Sequence, residues 1–472
     1  MIRIENFDSQ NLPRQGNKKT IMPTDAVQTK LPPSVPPDLI GGHLFSFRRR
    51  SIEFLNKIIK LGDVSYFRIG SQDTYFLNHP ELVRDVFVVN HHKFHKGLGL
   101  QRMKILLGEG LLTSEEDFHL RQRRMIQPAF HRQRIAGYAA SMVALGEQTA
   151  NSWRDGETLD MSDEMTRLTL YIVNKTLFNA NVESEAEEIA VAVDRMLSAF
   201  SLMILPFFSL LQKLPLPQLK RYRAAQNRIN EIIYRIINER RKSGADAGDL
   251  LSILLMAQDE ETRTGMTDEQ VRNEVLTLFL AGHETTANAL AWTWYVLSQN
   301  PESEAKFHEE LDRVLENERL PHFEDYPALK YTEAVFAESM RLYPPAWLVG
   351  RTAVEEHEVN GYAIKKGDLV FASPYTMHRD ARFWDEPEMF KPERWLDKDK
   401  IKEATAKFTY FPFGGGVRRC IGEQFAWTEG VLLLATIGRK WKLRLDPSQK
   451  VEMKPLVTLR PKYGMKMLIK SR

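Results

Sequence analysis

The stretch F-P-F-G-G-G-V-R-R-C-I-G, Phe411 to Gly422, concentrates the chain's most reactive chemistry. It holds the only cysteine of the protein, Cys420, so no internal disulfide can form. A lone thiol is a small hydrophobe, a nucleophile or a metal ligand. Gly414, Gly415, Gly416 and Gly422 tolerate φ > 0 and let backbone approach a large flat ligand. Arg418 and Arg419 flank the sulfur and are expected to favour thiolate over thiol. Backbone N–H groups turned toward such a sulfur would hold it as an anion suited to ferric iron.

Phe413, Gly416, Arg418, Cys420 and Gly422 resemble the haem-binding signature F-x-x-G-x-R-x-C-x-G of the cytochromes P-450. In that family a cysteine thiolate ligates haem iron, so the resemblance implies haem b with Cys420 as axial ligand. Further segments resemble the family in order. Ala281-Gly282-His283-Glu284-Thr285-Thr286 resembles A-G-x-[D/E]-T-T, which lies over the distal haem face. The resemblance implies that Ala281 and Gly282 border the oxygen site. It gives Thr285 a hydrogen bond at that site and Glu284 a part in relaying protons from solvent. Small and hydroxylated residues there also predict a locally opened turn. His283 is expected to be a bystander.

Glu338 and Arg341 form an E-x-x-R pair, three apart on one helix face. Phe390-Lys391-Pro392-Glu393-Arg394-Trp395 resembles the family's F-x-P-E-R-[F/W] segment. The implied buried triad is Glu338, Arg341 and Arg394. His119 and Arg123 match W-x-x-x-R with histidine in place of tryptophan. With Arg351 and Arg418 they are the cations expected at the haem propionates. The family layout places Leu98, Leu100, Phe279, Ala281, Trp347, Leu348, Leu456 and Val457 around an apolar substrate pocket.

These segments need elements to carry them. Residues 46–60 have helical spacing, and Val64–Ile69 with Thr74–Leu77 reads as a hairpin. Pro80 opens a helix to about Val89, and residues 90–112 read as a long irregular loop. Phe118–Phe130 is a basic helix; residues 135–178, 184–205 and 217–242 read as helices, and another starts at Asp249. Met196 to Leu211 is the most apolar stretch, interrupted by Pro206 and short for a membrane span. Thr267 and Gln270 match a capping box, and Asn300-Pro301 starts the next helix. The helix between them is long enough to cross the whole molecule. Leu369–Ala372 and Trp441–Leu445 suggest small sheets.

The expected fold is mainly α with small β-sheets, haem lying between the long central helix and the Cys420 loop. Residues 1–30 are expected to be a mobile polar arm and 31–472 one haem domain. The balance of 65 basic and 62 acidic residues, net +3, argues against a nucleic-acid binder. One cysteine and no apolar run in residues 1–30 fit a soluble, cytoplasmic, bacterial-like member with no transmembrane anchor. The resemblance implies a monomeric monooxygenase that inserts one atom of O2 into a lipophilic substrate such as a fatty acid, terpenoid or polyketide. Electrons would come from a separate ferredoxin or flavodoxin and its reductase, docking near Arg121, Arg124, Lys407 and Arg419. A haem-thiolate peroxygenase or isomerase would not need Glu284-Thr285. A haem sensor or electron carrier would need neither a proton relay nor an apolar pocket.

Overall fold

The computed structural model describes residues 31–178, 192, 217–244, 246–259, 261–397 and 399–472. The expected arm 1–30, the apolar stretch 196–211 and the helix 184–205, Ala192 apart, lie outside the described residues.

A helix over Asp268–Gln299 runs through the protein. Its 32 residues span about 48 Å at 1.5 Å per residue. Thr267 Oγ1 accepts from Gln270 N and Gln270 Oε1 accepts from Thr267 N, closing the capping box. The helix is buried over nearly its whole length because others wrap it. Met161–Phe178 lies along it closely enough that a Cβ on Gly282 would come within 2.9 Å of Val173. Gly282 therefore serves helix packing, a use the sequence reading did not give it. Thr169 Oγ1 fastens the crossing by donating to the His283 carbonyl at 2.9 Å.

The expected opened turn at Ala281–Thr286 is absent: the helix is continuous. Thr285 Oγ1 donates to the Ala281 carbonyl at 2.7 Å, sharing that acceptor without displacing the backbone ladder.

The sheets are small. Strands β1 (Val64–Ile69) and β2 (Gln72–Leu77) form the expected hairpin, with Tyr66 opposite Tyr75. Strand β3 (Phe94–Lys96) lies in the segment expected to be irregular, as do short helices Leu98–Arg102 and Lys104–Leu107. Strand β4 (Thr158–Asp160) separates helices Arg132–Ser152 and Met161–Phe178. Strands β5 (Val349–Ala353) and β8 (Leu369–Ala372) complete a five-stranded sheet in the order β1-β2-β8-β5-β3. Strand β6 (His357–Val359) pairs with β7 (Tyr362–Ile364), and β9 (Trp441–Leu445) lies at one edge of the sheet β4-β12-β9. Hairpin β10–β11 (Met453–Pro455, Leu459–Pro461) and β12 (Lys466–Ser471) finish the chain. Strand β3 pairs with β5, and the Thr352 hydroxyl donates to the Lys96 carbonyl 256 residues away, so no local pattern announces the pairing.

The buried triad exists as expected. Glu338 and Arg341 have fully buried side chains, and Arg341 Nε and Nη2 each donate to the Glu338 carboxylate at 2.9 Å. Arg394 Nε adds a bond at 3.2 Å, Trp395 Nε1 one at 2.8 Å and Lys391 N one at 2.9 Å. Glu338→Ala should cost about 3–5 kcal/mol, because it leaves the Arg341 guanidinium buried and unpaired. Thermal unfolding measures this; a loss below about 1 kcal/mol, typical of surface pairs, would contradict it.

Candidate active site

The Cys420 loop is held from behind by the triad. Arg341 Nη1 donates to the carbonyls of His378 (2.7 Å) and Pro387 (2.6 Å). His378 Nε2 in turn accepts from the Phe411 N–H at 2.9 Å, at the start of the loop. Tyr410 Oη donates to the Ala337 carbonyl at 3.0 Å, on the triad's helix Lys330–Leu342. The loop then turns through Gly414 and Gly416, both at positive φ. Gly416 lies against the Phe87 carbonyl, where a side chain would not fit. Gly415 and Gly422 have negative φ, so the expected use of left-handed backbone holds only for the other two. Cys420 N donates to the Phe413 carbonyl at 2.9 Å, and the helix Glu423–Gly438 begins directly after.

Cys420 is solvent-accessible although protein surrounds it. The Gly422 N–H faces the sulfur and favours its charged form. The expected arginine effect is outweighed. Burial first, and then Glu423, push the thiol up to about 11 against Gly422, Arg123 and Arg419. The protein alone therefore favours the thiol, and a metal ion must displace its proton on binding. Arg419 is committed to Glu423 through two bonds of 2.5 and 2.6 Å, which neutralises it.

Other expected cations converge beside the loop. Lys96 and Arg351 are direct partners across β3–β5, both buried. Like charges directly opposite on a sheet repel. Burial and Arg418 pull Lys96 down to about 7 and Arg351 down to about 9. Arg351 stacks on the Phe87 ring at 4.2 Å, and Arg418 pairs with Glu115. His119 is buried, and its Nδ1 lies 3.3 Å from both Lys96 Nζ and Ser114 Oγ. Those donors leave the ring proton on Nε2, which has no well-formed partner. Burial holds His119 near 3, so it is neutral.

A buried excess of cations with an unused N–H donor fits the two carboxylates of haem b. Lys96 belongs to this group. Sequence reading missed it because its neighbour Arg351 is brought in by a distant strand. Arg123 does something different: its Nη1 donates to the Arg419 carbonyl at 2.7 Å, bracing the residue before Cys420.

On the central helix, Ala281 is exposed while the residues before and after its turn are buried. It is thus accessible at the helix position that the resemblance assigns to the oxygen site. Thr285 is half-buried one turn on. Glu284 does not face this space freely. Its carboxylate accepts from Arg460 Nε at 2.9 Å and Nη2 at 2.8 Å, and from Thr458 Oγ1. The sequence gave no sign that residues near the C-terminus would claim it.

The expected pocket residues separate. Leu100 and Phe279 share one apolar cluster; Trp347 and Leu348 share another. Leu98 is half-buried. Leu456 and Val457 are exposed at the tip of β10–β11, tied to Trp347 by a 2.9 Å bond from its Nε1 to the Leu456 carbonyl. The expected docking cations are each paired: Arg121 and Arg124 with Asp259, Lys407 with Glu403, Arg419 with Glu423. Each docking cation thus has an acidic neighbour, which weakens the basic patch.

Fully buried His378 is held neutral, well below its ordinary pKa, by burial and by Arg341. A histidine with a depressed folded pKa contributes stability that is complete above the unfolded value of about 6.5. That contribution is lost as pH falls toward the folded value, because only the unfolded chain takes the proton. His378→Asn should flatten the stability–pH slope between pH 6 and 5 by up to about 1.4 kcal/mol per pH unit. Denaturant melts across that range measure it; an unchanged slope would show that His378 titrates alike in both states.

Comparison with known proteins agrees with this geometry. The cytochrome P450 family model matches residues 32–468. Cyclooctatin synthase of Streptomyces melanosporofaciens is 40% identical over 423 residues, covering 89% of this chain and 91% of that protein. Cyclooctat-9-en-7-ol 5-monooxygenase of the same organism is 40% identical over 418 residues, 88% of this chain and 89% of that protein. The crystal structure of the cytochrome P450DA haem domain superposes with a TM-score of 0.84 at 27% identity, covering 94% of this chain and 98% of that one. No helix among the described residues is long and apolar enough to cross a membrane. The match embraces both the Cys420 loop and the central helix, and the chain belongs to the cytochrome P450 family, as a haem b monooxygenase.

Proposed function

We propose that this monooxygenase oxidises a cyclic terpenoid hydrocarbon or its alcohol, by hydroxylation or epoxidation, and that Cys420 would hold the iron of haem b. Two relatives at 40% identity whose names specify cyclooctatin-type compounds carry the substrate class. Electrons come from a separate ferredoxin or flavodoxin with its reductase. The enzyme works in the cytoplasm as a monomer.

Haem bound through Cys420 supplies the activation of O2. The chain's own residues do the rest. With haem iron bound, the Gly422 N–H and the N-terminus of the helix that starts at Glu423 would stabilise negative charge on the Cys420 sulfur. His119, Arg351 and Arg418 would give N–H donors to the propionate oxygens, while Lys96, whose three donors go to the Leu111 and Ser114 carbonyls and to His119 Nδ1, adds positive charge beside them. Arg123 holds the Arg419 carbonyl and so fixes the loop. Leu98 and Leu100, half-buried on the short helix Leu98–Arg102, would line the substrate side and exclude water.

Thr285 holds a proton at its Oγ1, donated here to Ala281 O. Rotation about χ1 would turn that proton toward the oxygen site instead. Glu284 is anchored by Arg460, which is partly exposed, so the route from solvent passes along this pair.

Cys420→Ser should abolish the red-shifted Soret band of the reduced CO complex that names the family. A variant that keeps that band would remove Cys420 as ligand.

Thr285→Ala should retain haem, the thiolate spectrum and the substrate-induced spin shift. NADPH consumption should continue while product per NADPH falls several-fold and hydrogen peroxide rises. Unchanged coupling would make Thr285 a packing residue.

A further inference from the structure

Leu39 and Ile40 are the most exposed large apolar side chains among the described residues, Leu39 fully and Ile40 at 77%. They do not sit on a loose tail. The turn that carries them is pinned at its base: Asp38 N–H donates to the Gly42 carbonyl at 2.6 Å. The Asp38 carboxylate accepts from Ser46 N at 2.9 Å and also from Ser46 Oγ. The turn is fastened to β1 by His43 N to Arg68 O at 2.7 Å, and Gly70 N reaches Gly41 O at 3.0 Å. Gly41 and Gly42 adopt positive φ, which aliphatic residues rarely take, so this tight bend is built into the sequence.

Phe45 extends the apolar tip. It is half exposed, and a Cβ on Gly41 would lie 3.9 Å from its ring, which places it beside Ile40's neighbour. On the short helix Leu44–Arg49, Arg48 and Arg49 follow Phe45 by three and four residues and share its face. Both are exposed, and no carboxylate among the described residues pairs with either. Arg50 beyond them pairs at 3.4 Å with Glu53.

A rigid convex tip of aliphatic and aromatic side chains, rimmed by unpaired guanidinium groups, suits one kind of surface. Apolar side chains enter the acyl boundary of a bilayer while cations meet lipid phosphates. A folded protein partner would ordinarily offer a pocket to a protruding anchor, whereas a bilayer receives a convex one. We propose that the Leu39–Ile40–Phe45 tip with Arg48 and Arg49 docks this enzyme peripherally on an anionic lipid surface. The inference stands apart from the catalytic reading, since docking needs no turnover. It would put the protein where lipophilic compounds partition.

The test is co-sedimentation of the full-length holoenzyme with 100 nm vesicles, either pure phosphatidylcholine or with 30 mol% phosphatidylglycerol. Wild type should bind the anionic vesicles at least ~10-fold more tightly than the neutral ones. Raising salt from 50 to 500 mM should weaken that binding as charges are screened. Leu39→Ser with Ile40→Ser should lower binding to anionic vesicles by ~10-fold or more. Arg48→Ser with Arg49→Ser should remove the preference for anionic lipid. Haem content and the reduced CO spectrum, unchanged in both variants, show that they fold. Wild type that sediments with neither vesicle, or variants that bind like wild type, would overturn the proposal. So would a dimer in sedimentation velocity that Leu39→Ser with Ile40→Ser dissolves while wild type ignores vesicles, since the tip would then be a self-interface.

Discussion

Everything at the Cys420 loop depends on one buried carboxylate. Glu338 receives both forks of Arg341, the Arg394 Nε, the Trp395 indole and the Lys391 backbone N–H. Taking a carboxylate and a guanidinium out of water is costly, and only near-complete hydrogen bonding offsets it. Arg341 spends its remaining donors on the carbonyls of His378, Pro387 and Met389. Two stretches of chain that lack regular structure, one at His378 and one at Pro387 and Met389, are thereby held to one helix. Through the His378 ring the constraint reaches Phe411, and from there the two left-handed glycines carry the chain to Cys420.

The electrostatics of the site run opposite ways at its two ends. At Cys420 burial works against charge, so the sulfur is a thiolate only when a cation holds it. At Lys96 and Arg351 burial also works against charge, but with Arg418 beside them the surplus is positive and asks for carboxylates. A cofactor with a cationic metal and two anionic arms satisfies both conditions at once. The propionate group and the sulfur site are thus two halves of one requirement, and neither is a conventional surface ion pair.

Local chemistry was legible in the sequence where the determinants are local. The capping box at Thr267, the turn at Gly70, the E-x-x-R spacing and the glycine–cysteine loop all declare themselves within a few residues. Determinants supplied by distant chain were not. Strand β3 inside the segment 90–112 exists because β5 pairs with it. Lys96 becomes a site residue only through that pairing. Glu284 is claimed by Thr458 and Arg460, and the docking cations by Asp259, Glu403 and Glu423, none of which a local pattern identifies. The opened turn expected at Thr285 failed for another reason. A threonine hydroxyl bonded to the carbonyl four residues back can coexist with an intact ladder, and Gly282 is occupied with packing against Val173.

The central claim is that this chain inserts one atom of O2 into a cyclic terpenoid. It is tested most directly by turnover under 18O2 with a ferredoxin or flavodoxin reducing system and a cyclic terpene that gives a spin shift. Mass spectrometry should show one labelled oxygen atom in each product molecule, and no label when 18O is supplied as water instead. Product labelled from water, or product formed at the same rate without O2, would contradict the account.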